Sequence, residues 1–162
     1  MAHLGNVAFA AAMALGFWST EASAATVVNV QLWDQGAGMA MGTGMAYQAP
    51  GLDLSKATMG VRASRSSAPA GAVSFEVTNT SKDTVHEMVV MHLEDPAQPL
   101  PYVASDAKAD ESKADARGEV PELKPGKSGK LTVTLEPGKY LLICNRPKHF
   151  AAGMWALFEV TR

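Results

Sequence analysis

Cys144, His149 and Met154 fall at five-residue intervals in YLLICNRPKHFAAGMW, residues 140–155, and Cys144 is the only cysteine in the chain. Thiolate, imidazole and thioether form a soft donor set, which selects copper over hard ions. Two imidazoles, one thiolate and a weak, long axial thioether are the donors of a copper centre that exchanges single electrons. This stretch supplies three of the four, so a second histidine must come from elsewhere. Taken singly, each residue has an ordinary reading: a lone buried cysteine is commonly inert core, and a methionine opening a strand commonly fills space. Their joint spacing points to a metal. Zinc accepts one cysteine with two histidines, but a thioether is not among its usual ligands.

Two histidines could complete the set. His86 opens HEMVVMHL, residues 86–93, just after the polar turn NTSKDT, and His92 lies six residues later. On a strand both point to one face. At about 3.3 Å of rise per residue they sit roughly 20 Å apart, so they cannot share one ion. A ligand belongs at the end of the strand beside the loop that carries Cys144 and His149. Strand geometry favours His86 at the mouth of its turn over His92 beside LEDPAQPLP.

A lone cysteine also has to suit its compartment. Residues 4–18, LGNVAFAAAMALGFW, form an almost uncharged apolar run, followed by Ala22-Ser23-Ala24 and Ala25. That is the small-residue pattern of a signal-peptide cleavage site, although the start has no Lys or Arg. The run is shorter than the roughly 20 residues of a membrane span. Residues 1–24 are therefore expected to be a signal peptide cleaved near Ala24/Ala25. The mature chain, 25–162, is expected in the periplasm or otherwise exported, without a transmembrane segment. Losing Glu21 leaves 14 Lys+Arg against 15 Asp+Glu, a formal charge of −1. So even a balance gives no basic footprint for nucleic acid. In an oxidising compartment a single thiol is a liability unless it is buried or metal-bound.

The elements that must position these residues are strands. VVNVQLW (27–33) and GAVSFEVTN (71–79) alternate apolar and polar residues, as half-buried strands do. HEMVVMHL is more continuously apolar, as expected of a strand covered on both faces. GKLTVTLEPGKYLLIC (129–144) holds two strands with Pro137-Gly138 at the turn, MGVRAS (59–64) is a shorter strand, and MWALFEVTR (154–162) is the last. Short strands punctuated by turns predict one all-β domain, an antiparallel β-sandwich. Two segments interrupt it. Residues 35–57 hold a Gly/Met-rich loop with Met39, Met41 and Met45. The charged, Ala-rich segment around 105–118 predicts a short solvated helix ended by Gly118, or a loop insertion.

VTNTSKDTVHEMVV followed by YLLICNRPKHFAAGMWALFEV resembles the cupredoxin (type 1 blue copper) family. The C-x4-H-x4-M spacing, with Pro147 three residues after the cysteine and Gly153 before the methionine, is most similar to the rusticyanin and sulfocyanin branch. The resemblance runs over residues 58–162 and more loosely over 27–33. It implies a Greek-key β-sandwich with one copper ion held by His86, Cys144, His149 and Met154. It also implies that the edge of His149 reaches the surface and passes electrons to redox partner proteins. Two positions depart from the family: Lys148 stands where many loops carry glycine, and Glu87 stands where several members carry Asn or Ser.

Trp155, Phe150 and Leu142 are expected to exclude water from such a site. Arg146 and Lys148 flank the ligand loop, where positive charge would favour Cu(I) and attract an acidic partner. The function expected is a periplasmic one-electron carrier, not an enzyme. The mature chain has three histidines, too few for a second copper site of several imidazoles. The alternative is copper buffering, delivery or resistance, for which a Cu(I) site at Met39, Met41 and Met45 would speak. The simpler reading is that these methionines fill an irregular gap over the sandwich.

Overall fold

The fold is that of a computed structural model, in which residues 24–162 are described; the apolar run and cleavage site expected over residues 1–24 lie almost wholly outside the described residues. The chain runs through β1 (Thr26–Asp34), β2 (Met59–Ala63), β3 (Ser67–Pro69), β4 (Gly71–Asn79), β5 (His86–Leu93) and β6 (Tyr102–Val103). It continues through β7 (Lys108–Ala109), β8 (Asp115–Leu123), β9 (Ser128–Leu135), β10 (Gly138–Ile143) and β11 (Trp155–Thr161). Two sheets, ordered β2-β1-β4-β9 and β3-β11-β10-β5-β8, make the sandwich, and β6 pairs only with β7.

The alternation read from the sequence fills the space between the sheets. Val28, Val30 and Leu32 of β1 and Val73, Phe75 and Val77 of β4 are buried against Met88, Val90, Tyr140, Leu142 and Phe158 of the facing sheet. Each such side chain contributes about 1.5–3 kcal/mol by leaving water. The near-continuous apolar run of β5 has the expected cause. Its other face, with Leu141 and Ile143 of β10, packs Val89, Met91 and Leu93 against Leu100, Ala109 and Phe150. The insertion that contains β6 and β7 thus covers the outside of the second sheet.

Two expectations are corrected. The sandwich is not purely antiparallel: β1 runs parallel to β4 and β11 parallel to β3, so both sheets are mixed. Nor is there a helix over 105–118. That segment forms turns, β7 and the start of β8, which pairs antiparallel with the open edge of β5. Helix propensity in an Ala-rich stretch is a weak preference, and burial of Ala109 with pairing to β5 outweighs it. Gly118 ends no helix. It lies inside β8 at φ 148° with Leu131 3.1 Å from where a Cβ would stand, close to the register shift opposite Val90 and Met91.

Candidate metal centre

Three donors come from the start of β5 and from the loop that joins neighbouring β10 to β11. His86 is the first residue of β5, and Cys144 directly follows β10. The Cys144 N–H donates to the Met154 carbonyl (3.0 Å), and the Met154 N–H donates to the His149 carbonyl (3.0 Å), so the loop folds back on itself. Lys148 takes a left-handed conformation (φ 74°) while its N–H donates to the Ala107 carbonyl at 2.7 Å. A one-turn 3₁₀ segment, Phe150–Ala152, follows His149 and ends at Gly153, φ 95°, which releases the chain into β11. Met154 is fully buried at that junction.

The sequence thereby brings together His86, Cys144 and His149, all buried. The two Nδ1 atoms are 3.2 Å apart, and Cys144 Sγ lies 3.3 Å from His149 Nδ1 and 3.8 Å from His86 Nδ1. The point equidistant from these three atoms is about 2.0 Å from each, close to the bond lengths of about 2.0–2.3 Å that a first-row ion makes to imidazole and thiolate. The cluster, with buried Met154 beside it in the fold, is a donor set that fits one type 1 copper ion.

Burial sets the charge of these groups. It pushes the Cys144 thiol up to about 12, against the pull of the backbone N–H groups of Glu87 and Arg146. The Glu87 N–H points at Sγ from 3.5 Å. Burial likewise brings His149 down to about 4, aided by neighbouring His86 and Arg146. His86 is lowered by burial although Asp34 works in the opposite direction. Both imidazoles are thus neutral at pH 7 and offer lone pairs, and only the thiol must lose a proton to ligate.

His86 is fully enclosed, whereas His149 keeps 6% of its surface. Its Nε2 has no hydrogen-bond partner among the described residues, and no buried side-chain nitrogen or oxygen among them lacks one, so this ring edge is what meets solvent. Leu142 lies in the central core and Phe150 in the outer cluster, on either side of the ligand loop. Trp155 is half-buried; it stacks edge-on with Tyr47 and donates Nε1–H to the Met45 carbonyl at 2.7 Å.

His92 is not drawn in. Its Nδ1 faces Asp115 at 3.0 Å and its ring packs on Tyr140. Arg146 is ion-paired with Glu122 yet its positive charge still lowers both site histidines, while Lys148 is exposed with no ion pair among the described residues. The methionines of the loop do not share one environment. Met45 is buried and Met39 packs on the core, but Met41 is 38% exposed.

Two supporting residues escaped the sequence reading. Asn145, beside Cys144, accepts from the Ala109 N–H (2.8 Å) and donates to the Ala109 carbonyl (3.1 Å) and to Glu111. It ties the ligand loop to β7. Asp34, at the end of β1, places Oδ2 2.9 Å from His86 Nε2 with no side-chain exposure. A strand ending in Asp with glycine two residues on is a turn signal, and nothing local in LWDQG marks it as a partner for a histidine 52 residues away.

No family model matches the chain, nor does any curated protein sequence. Solved structures do. Auracyanin B is 24% identical over 85% of this chain and 90% of its own, with a TM-score of 0.50. Auracyanin A, described as a blue copper protein from Chloroflexus aurantiacus, is 17% identical over 85% of this chain and all of its own (100%), TM-score 0.51. Rusticyanin from Thiobacillus ferrooxidans is 17% identical over 85% and 79% of the two chains, TM-score 0.51. At identities this low the likeness is one of fold.

Proposed function

From a chain that has the cupredoxin fold and holds at one end of it a donor set fit for type 1 copper, we propose a carrier of single electrons between redox partner proteins. The observation that carries this is the buried triangle of His86 Nδ1, Cys144 Sγ and His149 Nδ1. We assign these three residues and Met154 as the ligands. Copper bound there would supply the Cu(II)/Cu(I) couple.

The chain's own residues supply the rest. Hydrogen bonds within residues 144–154 and the anchor at Asn145 hold the donors in place without the ion, so little has to move when an electron arrives or leaves. Phe150, Leu142 and Met154 exclude water. The His149 edge gives a short route to the surface. The partner is proposed to dock over this edge, with Arg146 and Lys148 at its border. Since Glu122 engages Arg146, Lys148 is the cation better placed to steer an acidic partner. Catalysis on a substrate is not assigned.

We further propose that residues 1–24 direct export and that the working protein is periplasmic. No helix among the described residues is long and apolar enough to cross a membrane. Mass spectrometry of the exported protein should find an N-terminus near Ala25.

The first test is a visible and electron paramagnetic resonance spectrum of the mature protein after Cu(II) addition, beside Cys144→Ser. An intense thiolate-to-copper band that the mutant lacks is expected. A colourless protein, or equal Cu(II) binding without Cys144, overturns the reading. Reversible one-electron voltammetry then separates a carrier from copper buffering or delivery, which requires passage of the ion itself to an acceptor. Donors with 0–6% exposure favour the former, because releasing copper demands opening the fold.

A further inference from the structure

We propose that Asp34 is a built-in anionic partner of the copper site: a positioning residue that fixes the ring of His86 and biases the centre toward its oxidised state. This rests on the copper reading above. Asp34 Oδ1 accepts the Gly36 N–H at 2.9 Å, and Oδ2 lies 2.9 Å from His86 Nε2. Both oxygens are engaged, and the carboxylate is completely shielded from solvent. No Lys or Arg among the described residues makes an ion pair with it. Among the described residues, its cationic counterpart would be the copper centre, reached through the imidazole.

The surroundings hold Asp34 firmly. Its Cα sits opposite Met59 in the β1–β2 ladder. Just beyond, the Gln35 N–H donates to the Thr58 carbonyl and the Ala37 N–H to Asp83 Oδ2, in the loop that leads into His86. The carboxylate therefore arrives from a different strand and a different sheet than the histidine it contacts.

Two consequences follow. For His86 Nδ1 to offer a lone pair toward Cys144 and His149, its proton must reside on Nε2, and Asp34 Oδ2 is placed to accept the hydrogen bond from that N–H. A carboxylate in this position fixes the tautomer and makes the ligating nitrogen more basic. The second consequence is electrostatic. Cu(II) with the Cys144 thiolate carries one positive charge, which the Asp34 carboxylate cancels. After one electron enters, the same groups carry one net negative charge in a buried place. Asp34 thus opposes reduction and works against the positive charge of Arg146 and Lys148 on the ligand loop.

Asp34→Asn tests this with shape conserved. Removing an outer partner of a metal-bound histidine costs about 10–100-fold in affinity. If that loss falls on Cu(II) and not on Cu(I), the reduction potential of the variant rises by about 59 mV for each tenfold. A potential within measurement error of the parent's, with copper bound in both, overturns the electrostatic role. Separately, nitrogen-15 spectra of the copper-free parent should show His86 protonated at Nε2; protonation at Nδ1 overturns the positioning role. That measurement needs neither bound metal nor a folded variant, so it stands even if the chain binds no copper. Asp34→Ala should lose the tautomer preference as well as raise the potential.

Discussion

At the scale of single residues, burial makes the donors neutral without copper, and this has a measurable cost at low pH. His149 falls from an ordinary 6.5 to about 4, and His86 is lowered too. Across that window the unfolded chain binds protons that the folded chain refuses. Stability of the copper-free protein therefore decreases as pH drops from 6.5 toward 4. The slope is about 1.4 kcal/mol per pH unit for each histidine that stays neutral. Glu87, raised by burial, acts in the opposite sense: its contribution is full below 4.5 and fades as pH rises through its folded value, so it softens the slope at the acid end. Denaturant titrations of the copper-free chain at pH 7, 5.5 and 4.5 should give decreasing unfolding free energies. Equal values would mean that the imidazoles are open to water. The thiol gives an independent check. A shift from 9.0 to about 12 leaves roughly a thousandfold less thiolate than a free cysteine has. A disulfide reagent should then label Cys144 in the folded copper-free protein only as fast as the fold opens, and label it at once in denaturant.

At the scale of elements, the turn between His149 and Met154 is the most exacting piece. Gly153 adopts φ 95°, and a Cβ there would lie 3.1 Å from Ala57 and 3.2 Å from Leu54. Left-handed backbone costs a non-glycine residue about 1–2 kcal/mol, and the close contacts add to it. Gly153→Ala should lower the unfolding free energy by at least that much and, by shifting Met154, change the copper absorption band. An unchanged spectrum would separate the turn from the axial position. The core strands and the ligand-bearing elements were legible in the sequence because their cues are local: alternation in β1 and β4 for the core, and for the ligands the apolar run of β5, the Cys-His-Met spacing and glycine before Met154. β8 was not legible. DARGEVPEL carries Gly118 and Pro121 and alternates poorly, because it is an edge strand defined by β5, its partner across the sheet. Asp34 and Asn145 were missed for a related reason: their chemistry depends on contacts made 52 and 36 residues away.

For the whole molecule, copper should act as a ligand of the folded state alone, because the three donors converge only there. Free Cu(II) at a hundred times its dissociation constant adds about 2.7 kcal/mol of stability. Thermal scans should place the loaded protein above the copper-free one, with a chelator closing the gap. Cys144→Ser should be indifferent to the metal. Among the described residues no disulfide shares this task, since Cys144 is the lone cysteine. The parallel pairing of β1 with β4 also gives the site a place in time. A polypeptide is made from its N-terminus, yet β1 cannot take its position between β2 and β4 until some forty further residues have been delivered. Long-range pairings of this kind put folding in the range of milliseconds to seconds. Asp34 near the start of the order and Cys144 and His149 near its end all converge on His86, and they do so only once β1, β5 and β10 have docked. The blue colour would then be a clock: in a refolding experiment it should rise last, after backbone signals have settled, and date the moment at which the chain is complete.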